Sequence, residues 1–233
     1  MSHPVDSITG ILHPAVKSYL AQLGQQADTS GGSPMDPSQA QLHQRLESHA
    51  LERGFPLIGS ASGRWLELLT RLIDGRRVFE LGSGFGYSAF WFARGVGPTG
   101  QVIGSEKDTW ELESFDRLWG DHPLRQRVEI HNQGAFEALA ATTGQFDLIF
   151  VDIAKRDYPA ALQAAVPRLR RGGLLLADNV LWGGKTASTP SARDESGTAD
   201  LRLFNEQIHS DPRLQSLILP AGDGLSVSMK LVD

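Results

Sequence analysis

Residues Val78–Ser88 read Val-Phe-Glu-Leu-Gly-Ser-Gly-Phe-Gly-Tyr-Ser. A short apolar run ends at glycines spaced G-x-G-x-G, and a segment of helical spacing, Tyr87–Arg94, follows. Glycine at such a turn lets the backbone approach a ligand, and the helix start behind it offers free N–H groups to an anion. From this turn onward the chain alternates. Strand candidates are Val78–Glu80, Val102–Ser105, Val128–His131, Asp147–Val151 and Leu174–Ala177. Helical spacing separates them at Tyr87–Arg94, Thr109–Trp119, Ala135–Ala141 and Tyr158–Leu169. Runs such as FDLIFV and GGLLLA are apolar nearly throughout, as strands buried on both faces are. The alternation predicts βαβ units and an α/β fold whose parallel sheet is covered on both sides.

The end of the chain changes character. After a helical stretch, Leu201–His209, come LQSLILP, AGDG and LSVSMKLV. Asp223-Gly224 is a hairpin signal, and the runs on either side of it read as paired antiparallel strands. Two stretches look irregular. Ala27–Pro37 is turn-rich and separates helical pieces at Ala15–Leu23 and Ser38–Arg53. Gly183–Thr198 is polar and small-residued, which suits either a disordered loop or a functional lid.

Composition narrows the function classes. At 233 residues the chain can bury ~70% of its unfolded surface, enough to fold without disulfides or a structural metal. It has no cysteine, which excludes zinc–thiolate sites, iron–sulfur clusters and a thiol nucleophile. No apolar run approaches the ~18 residues of a membrane span, and the N-terminal residues lack the pattern of a secretory signal. The net charge of −5 argues against nonspecific nucleic-acid binding. A soluble, cytoplasmic protein is expected, without membrane or nucleic-acid partners.

The chemistry gathers at predicted strand ends. The glycine turn lacks the third glycine of the dinucleotide fingerprint, since Tyr87 stands there. Glu106 ends the second strand, where a carboxylate can accept both hydroxyls of a ribose. Together with Glu80 this favours a nucleoside ligand, and the missing glycine favours S-adenosylmethionine over NAD. Asp152 ends the fourth strand with Lys155 three residues on, and Asp178 and Asn179 end the fifth. Ligands of open α/β sheets bind at such ends. Two carboxylates and an amide form a hard oxygen set suited to Mg²⁺, with Mn²⁺ or Ca²⁺ as alternatives. Either aspartate taken alone could equally cap the next turn. Lys155 is one of only five lysines. A cation beside it disfavours the ammonium form and frees the amine to act as a base. The histidines show no metal-ligand spacing. Arg168, Arg170 and Arg171 are expected at a helix C-terminus, a stabilising place for cations.

At these residues the chain resembles the cation-dependent S-adenosylmethionine O-methyltransferases of the catechol and caffeoyl-CoA type. The resemblance runs from Met35 to the end, carried by VFELGSGFGYSAFWFA, FDLIFVDIAKRDYPAAL, GGLLLADNVLWGGK and DPRLQSLILPAGDGLSVSMK. It implies a Rossmann-like class I methyltransferase fold: a seven-stranded, mostly parallel sheet with a C-terminal antiparallel hairpin, often assembled as a homodimer. It further implies Asp152, Asp178 and Asn179 as metal ligands and Lys155 as the base, with Asp152 also touching the cofactor. Glu80, Gly82, Ser88, Glu106, Gly134, Ala135 and Phe136 would hold S-adenosylmethionine. Lys155, Asn179 and Trp182 would flank a phenolic substrate. Where relatives carry an acid between Asp152 and Lys155, this chain has Ala154. Residues 1–59 are expected as a helical cap and 60–233 as the methyltransferase core.

The resulting expectation is metal-dependent methyl transfer to a hydroxyl of a catechol-like small molecule. The alternatives are a metal-independent S-adenosylmethionine methyltransferase acting on another nucleophile, a nicotinamide-binding oxidoreductase, and a noncatalytic binding protein.

Overall fold

A computed structural model describes residues 15–16, 18–19, 22–23, 35–189 and 197–232. The elements run α1 (Pro37–Arg53), α2 (Gly59–Leu72), β1 (Arg77–Leu81), α3 (Tyr87–Gly95), β2 (Gln101–Glu106) and α4 (Thr109–Trp119). They continue with β3 (Val128–Asn132), α5 (Ala135–Ala141), β4 (Phe146–Val151), α6 (Tyr158–Ala165) and β5 (Leu169–Ala177). The chain closes with α7 (Thr198–Ser210), β6 (Leu214–Leu219) and β7 (Leu225–Lys230). The seven strands form one sheet in the order β3-β2-β1-β4-β5-β7-β6. β1 to β5 pair in parallel, and β7 lies antiparallel to both β5 and β6.

Alternation along the strands divides the core into two layers. Val78, Leu148, Phe150 and Leu176 face a cluster built with Leu42, Leu46, Leu66 and Trp91 from α1, α2 and α3. Phe79, Ile149, Val151 and Leu175 face the opposite cluster, with Leu162 of α6 and Phe204 of α7. The strand order turns back between β1 and β4, and there the carboxyl ends of the strands open a crevice.

Four local readings change. Periodicity singled out no element between Arg53 and Val78, yet α2 lies there. Its first turns carry Gly63, which packs so tightly on α3 that a Cβ would stand 2.2 Å from Trp91 Nε1. Leu169, expected to end a helix, instead starts β5, because Pro167 follows the last turn of α6 and cannot continue it. The C-terminal hairpin does form, but its turn spans residues 220–224, with positive φ at Gly222 and Gly224 rather than at Asp223. The arginine cluster serves a neighbouring helix rather than its own. Arg168 donates to the carbonyls of Leu139 (2.5 Å), Thr142 and Gly144 at the end of α5, while Arg170 pairs with Asp147.

The described residues of Ala15–Leu23 are helical. Most of Ala27–Pro37 lies outside the described residues, as do residues 190–196 of the Gly183–Thr198 stretch. No helix among the described residues is long and apolar enough to cross a membrane.

Candidate active site

The glycine turn after β1 sits against the end of β4. Gly82 has φ +85°, and a Cβ there would lie 2.3 Å from the Asp152 carbonyl oxygen. Only glycine allows this contact, which brings the first loop and Asp152 to one crevice. At the end of β2, Glu106 is fixed by three backbone donors: Gly84 N at 3.1 Å, Lys107 N at 2.8 Å and Asp108 N at 2.9 Å. Gly82, Glu106, Gly134, Ala135, Phe136 and Asp152 together line a cleft of about 480 Å³. A narrower pocket of about 110 Å³ adjoins it, where Ser88 and Gly82 meet Phe55, Leu57 and Ile58 of the α1–α2 connection.

Glu80 lies beneath these clefts and lines neither. It is fully buried, and burial pushes its carboxyl up to about 8 against the opposing influence of the Ser88 and Ser83 hydroxyls. Neither carboxyl oxygen has a partner of good hydrogen-bond geometry.

The strand-end cluster is assembled by continuing the sheet one residue past its strands. Asp152 N donates to Leu81 O at 3.0 Å and Asp178 N to Val151 O at 3.1 Å. This sets the two aspartates side by side at the carboxyl ends of the adjacent strands β4 and β5. Lys155, in a short 3-10 turn, places Nζ 3.1 Å from Asp152 Oδ1 and 2.7 Å from the Tyr158 hydroxyl. Asn179 and Trp182 both hold positive φ, at 56° and 50°, so the chain bends sharply just after Asp178. The β6–β7 turn secures that bend: Val180 N donates to Gly224 O at 3.0 Å and Leu181 N to Asp223 O at 3.0 Å. The Trp182 ring centroid is 5.9 Å from Lys155 Nζ.

Asp178 is the strained member of this group. It is buried, its Oδ1 lacks any hydrogen-bond partner, and its carboxyl is raised, first by burial and then by the charge of Asp152. A buried carboxyl oxygen without a hydrogen bond, beside a second carboxylate, is costly unless further positive charge offsets it. That donor chemistry fits a hard divalent cation held by Asp152, Asp178 and Asn179. Among the described residues no three His, Cys, Asp or Glu side chains converge, so such a site has two carboxylates completed by the amide.

Of the residues singled out from the sequence, Gly82, Ser88, Glu106, Gly134, Ala135, Phe136 and Asp152 line these two clefts. Lys155, Asp178, Asn179 and Trp182 follow the neighbouring ends of β4 and β5 without lining either, and Glu80 lies beneath. Tyr158, Asp223 and the Phe55–Ile58 lip were not singled out as site residues. Tyr158 carried a signal, three residues beyond Lys155. Asp223 was visible only as a turn former, and Phe55–Ile58 is too short to show a periodicity. A larger groove of about 550 Å³ crosses α1 and α4 beside Arg45, His49 and Arg117, and contains none of the strand-end cluster.

The sequence profile of the O-methyltransferase family matches residues 38–231. The chain belongs to the O-methyltransferase family. A catechol O-methyltransferase of Mycobacterium tuberculosis is 35% identical over 175 residues, covering 74% of this chain and 80% of that protein. A crystal structure described as a putative O-methyltransferase from Klebsiella pneumoniae superposes with TM-score 0.77 at 27% identity, covering 94% of this chain and 97% of that one. An O-methyltransferase from Bacillus cereus, solved in complex with SAH, gives TM-score 0.77 at 25% identity, with 92% and 99% covered. These O-methyltransferases confirm the expected fold, with its mostly parallel sheet and C-terminal antiparallel pair.

Proposed function

We propose that this O-methyltransferase moves a methyl group from S-adenosylmethionine to one hydroxyl of a vicinal diphenol, with a divalent cation at Asp152, Asp178 and Asn179. The observation that carries this reading is the buried Asp178 carboxyl, one oxygen of which has no hydrogen-bond partner, set beside Asp152 and within the field of Lys155. The SAH complex of the Bacillus cereus relative supports the choice of methyl donor, and the name of the mycobacterial relative supports the choice of acceptor.

Each residue has a role in this reading. Glu106, its two oxygens held by three N–H donors, turns its remaining acceptor capacity to ribose hydroxyls. Gly82 keeps the floor of the cleft flat for the methionine portion, and Phe136 offers a surface to the adenine. Asp152 Oδ1 accepts a hydrogen bond from Lys155 Nζ, which helps to hold the amine in place. Trp182 stands against the acceptor ring. When bound, the cation supplies a Lewis acid that acidifies the acceptor hydroxyl and orients both acceptor oxygens. Lys155 takes the hydroxyl proton, the oxygen–methyl bond forms as the sulfur–methyl bond breaks, and S-adenosylhomocysteine leaves as a neutral thioether. Holding donor and acceptor in line is a large part of the acceleration.

The deciding experiment pairs Asp178→Ala with a chelator. Catechol methylation should require Mg²⁺ or Mn²⁺ and vanish in Asp178→Ala, while SAH binding by calorimetry persists. Normal turnover by the chelated enzyme would favour a metal-independent methyltransferase.

A further inference from the structure

We infer that Tyr158 is a positioning residue that fixes Lys155 against the loop carrying Asp178 and Asn179. The inference rests on the reading of Lys155 as the base. Tyr158 opens α6 and is fully buried, its ring edge-on to Phe204 at 5.3 Å. Its hydroxyl has a single proton, and two carbonyls stand ready for it: Asp178 O at 2.9 Å and, more distantly, Val151 O at 3.4 Å. With that proton committed to a carbonyl, the hydroxyl faces Lys155 Nζ only as an acceptor, at 2.7 Å.

One hydroxyl therefore joins two parts of the site that reach it from different strands. Lys155 follows β4 and has two acceptors, Asp152 Oδ1 and the Tyr158 hydroxyl, which together set where its amine points. Asp178 follows β5, and its carbonyl belongs to the peptide linking the two proposed ligands Asp178 and Asn179. Tyr158 holds that peptide on the side away from solvent. The tyrosine is fully buried, with its one proton directed at a backbone carbonyl. Sequence adjacency alone would have made it a core aromatic of α6, and its ring does serve there.

Tyr158→Phe removes the hydroxyl and keeps the ring, so it separates the two roles. We expect kcat for a catechol acceptor to fall about tenfold or more, as a base displaced from its line of attack would cause. The Kd for SAH and the acceptor KM should stay within about twofold, with a single cooperative melt. The double variant Lys155→Met/Tyr158→Phe should be no slower than Lys155→Met alone, because a residue acting through Lys155 has nothing left to position. Normal kcat in Tyr158→Phe beside an impaired Lys155→Met overturns the positioning role alone. So does a double variant in which the two losses simply multiply, the pattern of an independent structural effect. An unimpaired Lys155→Met overturns the base reading and this inference with it.

Discussion

The Asp223 carboxylate accepts the Gly183 N–H at 2.5 Å, tying the β6–β7 turn to the loop that follows the Asp178-Asn179 pair. Gly183 lies one residue beyond Trp182, in a run where Asn179, Trp182, Gly183 and Gly184 all hold positive φ. Such a bend keeps its shape only when its surroundings determine it. Asp223→Ala removes that acceptor and should raise the acceptor KM severalfold while SAH affinity is unchanged. Asp223→Asn retains an oxygen at the same place and should recover most of the loss. Steady-state kinetics on both variants checks this; an unaltered KM in Asp223→Ala would show that the backbone contacts at Val180 and Leu181 suffice.

Gly82 offers a sharper test of the cofactor cleft. An alanine there must adopt φ near +85° and place Cβ 2.3 Å from the Asp152 carbonyl. Forced left-handed backbone costs on the order of 1–3 kcal/mol, and the clash adds to it. Gly82→Ala should lower the melting temperature by several degrees and weaken SAH binding at least about tenfold. Calorimetric titration beside a thermal melt separates the two effects, and native SAH affinity in a folded Gly82→Ala would remove this turn from the cofactor site.

A different bond holds the scaffold behind the site. Arg94 of α3 donates to Glu67 of α2 at 2.7 Å, and both side chains are nearly excluded from solvent. Arg71 reaches the same carboxylate from one helical turn further along α2. Removing one partner from a buried pair typically costs about 3–5 kcal/mol. Glu67→Ala should lose stability of that order in urea denaturation, with kcat intact at temperatures where it is folded. A loss under about 1 kcal/mol would mean that water reaches Arg94 once the carboxylate is gone.

Much of this was legible in the chain because it depends on local chemistry. The glycine turn, the apolar strands and the acids closing β2, β4 and β5 each combine a residue type with a position, and the parallel topology then brings them together. The seven-stranded architecture was legible by resemblance, carried by motifs such as ADNVLW and AGDGLSVSMK. What stayed hidden depends on contacts between distant segments. α2 owes its place to Gly63 packing on Trp91, and a periodicity cannot show that. Asp223 looked like a turn former because its partner, Gly183, is forty residues away. Tyr158 was not singled out because its hydroxyl works through the end of another strand. Glu80 was read among the cofactor contacts, whereas the sheet buries it below them.

The burial of Glu80 gives the protein a pH signature. Its carboxyl sits near 8 in the folded chain, chiefly because burial disfavours the charged form, against an ordinary value of 4.5. Between those values the folded state keeps a proton that the unfolded state has released, so stability must fall as pH rises. The contribution is fully present below about 4.5 and lost as pH passes through about 8. Asp178 is shifted in the same direction and slopes the same way, so the wild-type melt alone does not isolate Glu80. Glu80→Gln does isolate it, since the amide keeps the shape and cannot ionise. Without ligands, the melting temperatures of wild type and Glu80→Gln should draw apart between pH 6 and 9, the variant gaining by a few degrees at the alkaline end. Parallel curves across that range would mean that Glu80 is ionised in the fold, with its charge met by the Ser83 and Ser88 hydroxyls.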